Sequence, residues 1–61
     1  EATLERIARL WSGYLGIDDL SAGDVAAMMT LLKLARSRHG YDRDHYLDAV
    51  AYLLLAEGLN R

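Results

Sequence analysis

Five polar side chains are spaced so that they can act together: Lys33 and Arg36 in one stretch, and Asp44, Asp48 and Tyr52 in the next. The last three recur every fourth residue, which on a helix places them along one stripe. A break near residues 38–42 folds the two stretches back on each other as an antiparallel helical hairpin, with facing positions summing to roughly 80. Arg36 then falls opposite Asp44, Lys33 opposite Asp48 and Met29 opposite Tyr52. Two chemistries suit this arrangement. In the first, cations and carboxylates pair across the hairpin and set its register, each exposed pair contributing about 0.2–1 kcal/mol. In the second, the stripe receives a small anionic ligand or a metal-bound nucleotide, because two carboxylates one turn apart can share a hard cation such as Mg²⁺. Cations facing the carboxylates neutralise them first, which favours the salt bridges.

The segment Arg36–Tyr46 gathers three Arg, both His and two Tyr. Arginine forks and a helix N-terminus both suit phosphate. Asp42 and Asp44 lie in the same stretch and cancel most of that charge, so a solvated, salt-bridged turn is the expectation. His39 and His45 are six residues apart and share no helix face, which makes them a poor metal pair. Trp11 and Tyr14, spaced among Ile7, Ala8 and Leu15, read as core or interface anchors rather than as a ligand-stacking pair. Met28 and Met29 read as adaptable core filling. There is no Cys, and neither Ser12 nor Ser37 has a His at contact spacing on its own element, so no nucleophile and base come together and no catalytic residue is assigned.

Three helices must position these groups. Leu and Ala dominate while Phe is absent and Ile and Val number two each, a balance that favours helix over strand. With no Pro, the glycines punctuate: Gly16, Gly40 and Gly58 each follow an apolar periodic stretch, where a left-handed residue closes a helix. The first helix is predicted over 3–15, with Thr3 as N-cap and Leu4, Ile7, Ala8, Trp11, Tyr14 and Leu15 on its apolar face. The second is predicted over 22–38. It opens on Ser21 and Asp24, a capping box with Asp in place of the usual Glu. Its face is Val25, Met28, Met29, Leu32 and Ala35, with Ala27, Leu31 and Leu34 extending apolarity around the side. The third is predicted over 43–57, capped by Asp42 and ending before Gly58. Leu47, Val50, Ala51, Leu54 and Leu55 form one face, and Tyr46, Ala49 and Leu53 another.

A helix apolar nearly all round is normally buried on more than one side. Three helices in 61 residues cannot enclose it. The expectation is an all-α, three-helix single domain over 1–61 that is completed by a second copy or another protein. A chain this short buries only about 60% of its unfolded surface, and it has no cysteine to cross-link. A net charge of −2 argues against a general nucleic-acid or anionic-membrane binder, a DNA-binding helix-turn-helix included. The longest apolar run, Ala49–Ala56, is too short to span a bilayer. The chain opens at Glu1 rather than Met, which predicts a segment of a longer protein, and no signal peptide is visible.

Three blocks in order carry a resemblance: Leu4-Glu-Arg-Ile-Ala-Arg-Leu-Trp-Ser12, Asp24-Val-Ala-Ala-Met-Met-Thr-Leu-Leu-Lys-Leu-Ala-Arg36, and Asp44 with Asp48-Ala-Val-Ala-Tyr52. Over nearly the whole chain they resemble a phage-encoded family of small helical proteins of unknown function. That resemblance implies a phage or prophage origin and the cytoplasm of an infected bacterium. The family's polar motif positions correspond to Lys33, Arg36, Asp44, Asp48 and Tyr52. More distantly the chain is similar to the MazG-type all-α nucleotide pyrophosphohydrolases. Their Mg²⁺-holding Glu-x-x-Glu and Glu-x-x-Asp pairs are missing here, so that similarity implies at most a degenerate, nucleotide-binding relative. The functional expectation is a homo-oligomeric, non-catalytic interaction module without a cofactor. Mg²⁺ enters only under the nucleotide alternative.

Overall fold

The computed structural model describes residues 2–60. They form three helices and no strand: α1 (Ala2–Leu15), α2 (Ala22–Ser37) and α3 (Arg43–Leu59). The helix starts follow local chemistry. The Ser21 hydroxyl accepts from the Asp24 amide and the Asp24 carboxylate accepts from the Ser21 amide, each at 3.0 Å. Two of the otherwise unpaired amides at the entry to α2 are thereby satisfied. Asp42 caps α3 by accepting from the Asp44 amide at 2.9 Å. Gly16 closes α1 with φ +73°, the left-handed geometry that glycine adopts without strain.

Two expected boundaries differ. Thr3 lies inside α1, which already includes Ala2, so Thr3 is not its N-cap. Gly58 lies inside α3, which continues to Leu59. The helix stops instead at its C-cap Asn60, whose amide nitrogen and side-chain Nδ2 both donate to the Ala56 carbonyl, at 3.0 and 2.9 Å. A polar side chain that folds back on the last turn ends the helix there without a glycine.

α2 is the centre of the fold: it packs along α3 and carries α1, while α1 and α3 have no backbone proximity to each other. The α2–α3 hairpin is antiparallel. Lys33 pairs with Asp48, and nearer the open end Gly23 lies so close to Asn60 that a Cβ would clash with its side chain. Facing positions therefore sum to about 82, close to the expected register. The seam alternates Ala26 with Ala56, Thr30 with Tyr52, Lys33 with Ala49 and Ser37 with His45, and each of these residues is buried or half-buried. Thr30 returns its hydroxyl to its own helix, donating to the Ala26 carbonyl at 3.0 Å.

With a small residue in every pair, the seam lets the two backbones approach closely, but it buries little apolar area and leaves most leucines of both helices facing outward. The apolar core is Leu4, Ala8, Val25, Ala26, Ala49 and Ala56. Ile7, Trp11, Leu20, Ala22 and Met29 pack around it. The faces read from periodicity are accordingly corrected. Met28, Leu32 and Ala35 of α2 are exposed, and so are Leu47, Val50, Ala51, Leu54 and Leu55 of α3. In α1, Leu4 and Ala8 are buried, but Leu15 is 56% and Tyr14 90% exposed.

Candidate functional site

Of the five stripe residues, the structure brings two into direct contact. Lys33 Nζ stands 3.1 Å from Asp48 Oδ2, with the lysine side chain 17% and the carboxylate 50% exposed. The Lys33 stem runs along the seam and delivers its ammonium at the edge, so the charge stays partly hydrated. Tyr52 is half-buried one turn further along α3, on the same seam. Arg36 and Asp44 are both exposed. They form no ion pair, and the described pairs are Lys33–Asp48 and a long His45–Asp42 contact at 4.0 Å. The reason is rotational. Three residues beyond Lys33 the helix has turned about 60° short of a full circle, so Arg36 leaves the seam and Ser37 takes the inward position. Met29 packs against the core, one turn before Lys33 on α2, as Tyr52 lies one turn beyond Asp48 on α3.

The turn carries little that is organised for ligand binding. Tyr41 and Tyr46 stack at 5.9 Å between ring centroids with their planes 27° apart, and His45 sits over its own helix cap. Among the described residues, no three His, Asp or Glu side chains gather where they could hold a metal ion. No described helix is long and apolar enough to cross a membrane.

The largest departure from an ordinary monomer surface is apolar. Leu31, Val50, Leu53 and Leu54 are each more than half exposed. Trp11, Tyr14, Leu15 and Met28 line an open apolar cleft of about 250 Å³ between α1 and α2. Periodicity reads Trp11 and Tyr14 as core or interface anchors and does not give the cleft. Their spacing from Met28 is set by how α1 crosses α2, which periodicity within one helix does not carry.

A family model described as "Domain of unknown function (DUF6378)" matches residues 1–60. Among curated proteins, "Gene 55 protein" of Mycobacterium phage L5 is 45% identical over 49 residues, covering 79% of this chain and 31% of that protein. The chain thus spans about a third of the length of the curated relative it matches. No solved structure matches. The family match and the phage relative agree with the expected phage-type helical family of unknown function. Neither supports the more distant likeness to the MazG-type enzymes.

Proposed function

The chain belongs to the DUF6378 family, a domain of unknown function, and from its own surfaces we propose that it is a non-catalytic assembly module that associates with further copies of itself, in the cytoplasm of a phage-infected bacterium. One observation carries this reading. The folded chain exposes 4623 Å², whereas a compact monomer of 6.8 kDa exposes about 4,000 Å². The surplus of roughly 600 Å² approaches the ~800 Å² that one partner contributes to a standard interface. The exposed surface includes Leu10, Leu31, Leu53 and Leu54, each more than half exposed, where a soluble monomer would place charge. Sedimentation velocity over a range of micromolar concentrations tests the reading. Reversible association is expected, and a folded monomer throughout that range would refute it.

Arg36 and Asp44 stand exposed beside the Lys33–Asp48 pair, which keeps one competing reading in view: a small anionic or nucleotide ligand held by Lys33, Arg36, Asp44, Asp48 and Tyr52, with Mg²⁺. A double-mutant cycle decides between them. If the pair only joins the hairpin, Lys33→Met together with Asp48→Leu is nearly neutral. Either change alone then costs more, on the order of 1 kcal/mol, because the surviving charge loses its partner at a half-buried edge. We expect this coupling to be the same with and without nucleoside triphosphates and Mg²⁺. A melting-temperature rise on adding them, lost in the double variant, would establish the ligand site instead.

A further inference from the structure

The Lys33–Asp48 bridge marks the flank of the seam on which α1 sits, since Val25, Met29 and Ala22 turn to that side with the core. Helical periodicity then fixes the opposite flank. It presents Ala27, Leu31 and Leu34 from α2 and Tyr46, Val50 and Leu53 from α3, all of them exposed. Between these two ridges the floor is made of the small buried residues Thr30 and Ala49. Two leucine-lined ridges with a floor of small side chains between them match the inner face of half a four-helix bundle.

The arginines and carboxylates of this flank lie at opposite ends. Arg38 and Arg43 lie at the turn end of the hairpin, and Asp24 and Glu57 lie at its open end. At the turn end the Asp42 carboxylate is engaged by the Asp44 amide at the α3 cap and faces His45. We propose, building on the assembly reading, that a second copy docks on this flank with its hairpin reversed, forming an antiparallel four-helix bundle about a two-fold axis that crosses the helices near Leu31 and Val50. In that arrangement α2 faces the partner's α2 and α3 faces the partner's α3, each pair antiparallel. Positions on α3 that sum to about 100 meet. Arg43 therefore stands opposite the partner's Glu57, and Arg38 opposite the partner's Asp24. The two-fold axis parallel to the helices would set like ends together and is disfavoured by the same charges.

Charge reversal in two chains tests the geometry. Arg43→Glu alone and Glu57→Arg alone each set like charges at both contacts, so each variant is expected to self-associate at least tenfold more weakly than the wild type. An equimolar mixture of the two variants regains opposite charges at both contacts and is expected to associate at near wild-type strength. Leu53→Glu is expected to abolish association with helicity retained, while Tyr14→Glu, outside the flank, leaves it unchanged. Two weakened variants with no recovery on mixing would overturn the antiparallel register. Association indifferent to all three flank changes would overturn the flank itself while leaving the assembly reading intact, and a monomeric wild type would remove both. In that last case the face belongs to another segment of a longer chain or to another protein.

Discussion

Leu4→Ala will leave most of the chain unfolded in dilute buffer at room temperature. Leu4 is 4% exposed and is the largest side chain in a core otherwise made of alanines and one valine. It joins Ala8, Val25, Ala26 and Ala56 and fastens α1 to the hairpin. Truncating a buried leucine costs about 2–5 kcal/mol in lost transfer energy and residual cavity. A core of this size supplies no more than about 3–5 kcal/mol in total. The loss matches the whole stability, so circular dichroism should show the helical signal collapse rather than a shifted urea midpoint. Leu10→Ala is the control, since Leu10 is 66% exposed and its truncation should move stability by only about 0.5 kcal/mol. Equal effects from the two would mean that the buried cluster is not what holds α1.

The opposite change at the seam is nearly as damaging. Ala26 is fully buried in the cluster that also holds Ala56. Ala26→Leu keeps a strong helix former in place, so any loss reports packing alone. Overfilling a tight interior costs about 1–3 kcal/mol. Here it also pushes α3 outward and strains the Lys33–Asp48 pair at 3.1 Å. For a domain of this size each kcal/mol moves the melting temperature by about 4–8 °C, so a fall of roughly 10 °C or more is expected. Ala35→Leu adds the same atoms at an exposed position of the same helix and should leave the melting temperature nearly unchanged. If both variants melt alike, α2 and α3 do not meet through Ala26.

These two contrasts also show where the sequence was readable. The helix count, the Ser21–Asp24 box, the Asp42 cap and the hairpin register follow from local chemistry and connection length, and the structure agrees with each. Lys33–Asp48 was legible for the same reason. A short turn fixes the register of two helices to within a residue or two, and a long lysine tolerates that error. The rotation of α2 and α3 about their own axes was not legible. Both are apolar on nearly every side, so a face containing Leu47 and Leu54 outweighs the Ala49–Ala56 face that is in fact buried. Close approach of backbones favours small residues, and a reading weighted by hydrophobic size points the other way. Arg36 and Asp44 were lost to that same rotation.

α2 lies between its neighbours in the chain and also in space, and each connection, 16–21 and 38–42, is short. Every close backbone approach between helices is therefore made between sequence neighbours, which keeps the contact order low and places folding among the faster classes of domain. The α2–α3 hairpin is local enough to close within the time of elementary helix pairing, without waiting for a distant segment. Its leucine ridges are consequently presented to solvent as soon as α3 is complete. How long they stay bare is then set by the rate of a bimolecular encounter, which depends on the concentration of chains, rather than by any slow rearrangement within one of them.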